Sequence, residues 1–322
     1  MSYQSKKGLL AVCGSLLGLS GIAVGLRLHA RKQQRAAFMT DDVLAISSLG
    51  AYTGAAIVVF IAIHYKTVGY ATSDLTPAEA ASTMEILSKL QIAWDILSTI
   101  SLACIKLSAL FFYRRIFCVG LRTQWFNIAS FVTIMIVVIW LIVFQFLTGF
   151  QCGTHFSALW DGTYTEYCTI SFPFLYVLAV SDFLLDIWIL ALPIPRIIQL
   201  QASIQRKVAI IGVFLLAFIG LGASITRMVN YIQIEDGGPL YFIYHDEEEA
   251  VTRAFFFTML EIGISLVAVN LPSLWLLFTS ISPEKVARSI RSVLSLASLR
   301  SGGSGGDNDM TKRPYGDRGL TV

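Results

Sequence analysis

The sequence predicts an all-α, polytopic membrane protein: a seven-transmembrane-helix bundle with its amino terminus outside and its carboxyl terminus cytoplasmic. Three observations predict it. First, 55% of the 322 residues are hydrophobic and only 14% are charged, giving a mean hydropathy of +0.68, more apolar surface than a soluble domain keeps in water. Second, seven apolar stretches are long enough to cross a hydrocarbon core of roughly 30 Å, which takes about 20 helical residues. Third, Lys and Arg are distributed asymmetrically between alternate connections, and short cytoplasmic loops are the ones enriched in them.

The stretches run approximately over Gly8–Leu28, Val43–Ile63, Leu90–Tyr113, Asn127–Thr148, Phe172–Ile194, Val208–Val229 and Ala254–Thr279. With the amino terminus outside, thirteen basic residues fall on inner segments: Arg27, Arg31, Lys32, Arg35, Arg114, Arg115, Arg122, Arg196, Arg206, Lys207, Lys285, Arg288 and Arg291. Five fall outside, namely Lys6, Lys7, Lys66, Lys89 and Arg253. Orientation thus accounts for the basic residues, and the net charge of +3 implies no nucleic-acid partner. Lys6 and Lys7 before an apolar stretch also open a secretory signal, but the downstream flank is the more basic one, the reverse of a signal peptide.

Taken in order, the first inner loop carries Thr40 as an expected N-cap of the second helix, with Asp41 and Asp42 in its first turn, where acids suit the helix dipole. Thr76-Pro77-Ala78-Glu79 is a helix start, so the third helix is expected to begin early and project above the membrane. Cys152 and Cys168 both face an oxidising compartment in this topology. Their expected disulfide closes a loop of about 15 residues and constrains the unfolded chain by roughly 3 kcal/mol; two free thiols are the alternative. Cys13, Cys104 and Cys118 read as small core residues, Cys118 also as a palmitoylation position. Scattered histidines and the absence of metal-ligand spacing give no metal site. Gly212, Gly220 and Gly222 in the sixth helix suit close helix contact. The aromatics Tyr241, Phe242 and Tyr244 precede the acidic run from Asp246 to Glu249, which reads as a solvated helix start or as a vestibule for a cationic ligand.

Three domains follow: residues 1–280 as the membrane domain, 281–300 as a juxtamembrane amphipathic helix on the anionic inner leaflet, and 301–322 as a disordered cytoplasmic tail. The amphipathic segment opens at Ser282-Pro283-Glu284 and repeats Val286, Ile290, Val293, Leu294 and Ala297 at helical spacing.

Ionisable residues inside the apolar helices mark polar sites, because each is costly in hydrocarbon. Depth follows from counting at about 1.5 Å per residue. Lys106 lies eight residues before Arg114, and Asp186 ten before Arg196, so the two share a depth in the inner half and are expected to form an ion pair. Asp182 and Asp186, four apart, share a helix face. A second level nearer the outside holds Asp95, Arg227, Glu261 and Asp182. It reads either as the lining of a ligand cavity or as a polar network that locks helices together.

These residues also carry a resemblance. Asp41-Asp42, Lys106, Ser108, the run from Phe112 to Phe117, Phe150, Cys152, Trp160, Cys168, Asp186, Leu192-Pro193, Lys207, Gly220, Ser224, Arg227, Glu261 and Leu271-Pro272-Ser273-Leu274 together resemble the fungal rhodopsin-domain integral membrane proteins, over roughly Leu28 to Phe278. That group includes receptor-like proteins and members encoded in mycotoxin gene clusters. The chain departs from it at Asp182, usually Asn there, and at Asn270, where cysteine is common. Helix seven contains no lysine, so a retinal Schiff base has no attachment point, and Lys106 is a poor substitute if Asp186 pairs with it. No cofactor is expected.

The resemblance implies a multi-pass protein, at the plasma membrane, that senses an extracellular small molecule or surface cue. Arg114 and Arg115 would then relay to a cytoplasmic signalling partner. The expected partners are the bilayer, an unidentified small-molecule ligand and that signalling protein. The alternative is a membrane enzyme or carrier for an apolar secondary metabolite, with Asp182 or Glu261 as general acid. No nucleophile triad, phosphate loop or metal motif supports catalysis, so the chain reads more as a non-enzyme.

Overall fold

The computed structural model describes residues 6–33, 35, 37–70, 77–117, 124–160, 167–168, 171–199, 204–237 and 247–280. Cys118, Arg122, the aromatics at 241–244, the segment 281–300 and the tail 301–322 lie outside them. The described residues form seven long helices and no strand: α1 (Lys6–Gln33), α2 (Thr40–His64), α3 (Pro77–Phe117), α4 (Gln124–Phe150), α5 (Ser171–Ala191), α6 (Ile204–Gly237) and α7 (Glu247–Ser280). Each contains a window long and apolar enough to span a membrane. Helix α3 runs well past its apolar core, since it starts at Pro77, whereas α5 ends at Ala191, inside its apolar stretch.

Two features differ locally from the sequence reading. Helix α2 is capped at Met39 rather than at Thr40: the Asp42 carboxylate accepts the Met39 backbone N–H at 3.2 Å. Gly222 has open space around it, whereas Gly220 meets Ser265 of α7. The tightest glycine approach is at Gly263, where a Cβ would lie 2.7 Å from Leu16 Cβ and 2.8 Å from Tyr52 Oη. That closeness lets Ser20 Oγ donate to the Gly263 carbonyl and Tyr52 Oη to Met259 O, tying α1 and α2 to α7.

Helix α3 is the centre of the bundle. Two-thirds (67%) of its apolar window is buried, against 28–33% for α1, α4, α5 and α6. One flank packs with α1, α2 and α7 around Tyr52, Val59, Leu102 and a Trp94–Phe255 stack at 4.0 Å. The other packs with α4 and α5 around Leu107, Leu110, Val137, Trp140 and Phe174. Helix pairs in lipid gain little from burial alone, so polar ties matter. Ser48 and Ser101 join α2 to α3, Gln145 donates to Ile96 O of α3, and the Trp140 and Trp188 indoles join α4 and α5 through Ser181 and Thr133. The outer stripe of α4, with Ile128, Phe131, Ile139, Ile142 and Phe146 exposed, is chemically suited to acyl chains.

The two ends of the bundle are chemically distinct. At one, Lys6 N–H donates to Gly69 O and Gly69 N–H to Thr252 Oγ1, joining α1, the α2 exit and α7; Cys152 and Cys168 form their disulfide at the α4 exit and pack on Ile92 of α3. The other end carries Arg31, Arg114, Arg115 and Arg196. There α5 stops before Pro193, which lacks an N–H, and a short helix, Ile194–Gln199, follows. Cys152→Ser is expected to lower stability by about 3 kcal/mol, seen as a fall in unfolding temperature that reducing agent reproduces in the native protein.

Candidate functional site

Four helices bring their charges to one place. Asp182 and Asp186 are one turn apart on α5 and both face α3. Lys106 of α3 pairs with Asp186 Oδ1, and its Nζ also lies 3.1 Å from Asp182 Oδ1. Arg227 of α6 reaches Asp182 Oδ2 at 2.6 Å and Glu261 Oε2 of α7 at 3.1 Å. The result is a continuous chain, Asp186–Lys106–Asp182–Arg227–Glu261, across α3, α5, α6 and α7. Lys106, Asp182, Arg227 and Glu261 are each at most 3% exposed, whereas the Asp186 side chain is 23% exposed. Charges buried this completely require opposite charges at contact distance.

By residue count along the helices, Lys106 and Asp186 share an inner level and Asp182 belongs to an outer one. The structure joins the two levels through Asp182, which takes one base with each oxygen. Asp95 is buried on α3 and feels the charge of Arg227, but makes no ion pair among the described residues. Oxygens of Asp182, Asp186 and Glu261 lie within 4.8 Å of one another, the spread of a metal site. Lys106 and Arg227 already supply positive charge to all three, so the geometry is that of an ion-pair network.

A half-enclosed cavity of about 90 Å³ opens beside this chain, between α3, α5, α6 and α7. Its polar lining is Lys106, Tyr113, Asp186 and Ser265, and its apolar wall includes Ala217 and Leu221. Of the charged residues, the cavity therefore touches the inner pair; Asp95, Asp182, Arg227 and Glu261 do not line it. If the Lys106–Asp186 pair acts as a unit, Lys106→Met with Asp186→Leu is expected to be no less stable than the worse single variant. Thermal unfolding of all three proteins checks this, and additive losses would refute the coupling.

A second buried cluster sits at the basic end. Arg27, wholly buried, donates to Asp42 Oδ1 at 2.8 Å, Asp41 Oδ2 at 2.7 Å and Asn270 Oδ1 at 3.2 Å. Arg31 repeats both aspartate contacts, at 3.1 and 2.9 Å. Ser108 Oγ of α3 donates to Asp41 O, and Arg115 comes within 3.8 Å of the Asp41 carboxylate. Arg114 instead donates to Asn127 of α4 and lies over the Phe131 ring. From the sequence alone, Arg27 and Arg31 read as orientation charges and Asp41 and Asp42 as acids suited to the helix dipole. Their available signal was spacing: two arginines one turn apart, then two aspartates ten residues on, at the start of the next, antiparallel helix.

Comparison with known proteins agrees with this architecture. The fungal rhodopsin domain matches residues 26–280, from the last turns of α1 through α7. A protein of Emericella nidulans described as a SAT4 family membrane protein is 31% identical over 159 residues, which is 46% of this chain. The matched part spans only 38% of that relative's length. No solved structure matches the chain. The family match covers most of the sequence and every helix of the charged clusters, and the chain belongs to the fungal rhodopsin domain family.

Proposed function

We propose that this protein is a receptor-like seven-helix membrane protein that senses a small molecule in the cavity beside Lys106 and Asp186. The reading places it in the plasma membrane, amino terminus outside, with the basic end in the cytoplasm, following the Lys and Arg asymmetry of the loops. One observation carries it: the cavity touches the first link of a charge chain that spans four helices. A ligand that disturbs Asp186 or Lys106 changes the partners left for Asp182, and hence for Arg227 and Glu261, so local binding is felt on α6 and α7.

Helix α6 is the member assigned to move. Ser224 Oγ, Arg227 Nε and Asn230 Oδ1 are buried on it without a hydrogen-bond partner among the described residues. A partly satisfied polar face gains from a shift that finds partners. Lys106 is engaged by two carboxylates, so the reading assigns the protein no retinal.

The test expresses the full chain in cells carrying a second-messenger reporter and applies a panel of small apolar molecules. A dose-dependent response that Ala217→Phe removes, by filling the cavity, is the expected result. Conversion of a lipophilic precursor into a released product by the purified protein would sink the receptor reading.

A further inference from the structure

We propose that the ligand of this cavity is a small lipophilic amine, bound as its ammonium against Asp186; this rests on the sensing role proposed above. Asp186 is the most exposed member of the charge chain and lines the cavity directly. Lys106 lines it too, but its ammonium is already held by Asp186 Oδ1 and faces Asp182 Oδ1. The cavity therefore offers an incoming group a carboxylate more readily than a free base.

The charge balance points the same way. Around the Lys106 ammonium stand two carboxylates, Asp182 and Asp186, and Arg227 contacts only Asp182 of the two, so the end of the chain that meets the cavity carries the acid excess. A ligand carboxylate adds to that excess inside a poorly screened interior, whereas an ammonium offsets it. Tyr113 and Ser265 supply oxygens that accept hydrogen bonds from the remaining ammonium protons. The wall opposite, with Ala217 and Leu221, is aliphatic and suits a short carbon chain. About 90 Å³ takes the head group and a few carbons, with any longer tail leaving through the open side.

The experiment uses the full chain in lipid nanodiscs with three probes that share one chain and differ in charge: hexylamine, hexan-1-ol and hexanoate. Hexylamine is expected to raise the unfolding temperature saturably by several degrees. Its apparent affinity should exceed that of hexanoate at least tenfold, and Ala217→Phe should abolish its effect. Asp186→Asn should weaken it at least tenfold, while Asp186→Glu, which keeps the charge, should restore most of it. Hexanoate or hexan-1-ol binding as tightly as hexylamine, with sensitivity to Ala217→Phe, overturns the amine assignment and leaves the cavity as a sensing site. Shifts that Ala217→Phe leaves untouched for all three probes overturn both. Because the comparison among probes is made on the native chain, it decides the question even if Asp186→Asn fails to fold.

Discussion

Arg227→Met is expected to destabilise the protein by about 3–5 kcal/mol, the usual consequence of removing one partner from a buried ion pair. The guanidinium is the base that contacts Glu261, and it holds the second oxygen of Asp182. Both carboxylates are at most 1% exposed, so neither can turn to water when the arginine goes. Detergent-solubilised Arg227→Met should show a large loss of monodisperse protein in size-exclusion chromatography and a much lower unfolding temperature. Adding Glu261→Gln should recover part of the loss, because the stranded charge, rather than the missing contact, dominates the cost. A double variant worse than Arg227→Met alone would show that Glu261 is held by something else.

Arg27→Met should have a comparable effect at the other end of the bundle, again about 3–5 kcal/mol. Arg27 is 0% exposed and touches Asp41, Asp42 and Asn270, so it joins α1 to α2 and to α7. After its removal the two buried aspartates keep Arg31 at contact distance, with Arg115 3.8 Å from Asp41. The discriminating control is Arg31→Met, which leaves Arg27 in place with the same two acids. Among the described residues Arg31 has no hydrogen bond or ion pair to α7, so its loss should cost distinctly less in the same unfolding measurement. Equal losses would mean that the tie to α7 contributes nothing.

The seven helices were legible because their signal is a long sum over apolar residues, and no single position decides it. The disulfide was legible because topology put Cys152 and Cys168 on one side, in one loop. Counting residues from the helix ends set Lys106 level with Asp186, and those side chains do meet. Depth, however, is only one coordinate. Asp182 was set with the outer group because counting gives height and not the rotation of α5, and its approach to both Lys106 and Arg227 depends on that rotation. The basic-end cluster is hidden in the sequence for another reason. Arginines after a membrane helix and aspartates at the start of the next one each have a sufficient local explanation, and local sufficiency hides the long-range pairing. The cap on α2 shows the same effect in miniature: Asp42 was read by its charge, yet its carboxylate also caps the helix.

Asp182 has a consequence beyond holding helices together. One carboxylate with two oxygens serves two cations that sit on different helices, Lys106 on α3 and Arg227 on α6. A rotation of α5 that tightens one contact loosens the other, so the side chain works like the pivot of a balance whose pans are α3 and α6. Asparagine at this position would offer one oxygen and one NH₂ group and no charge, and it could not load both pans with a base. In this chain, therefore, the positions of α3 and α6 are set against each other by a single residue.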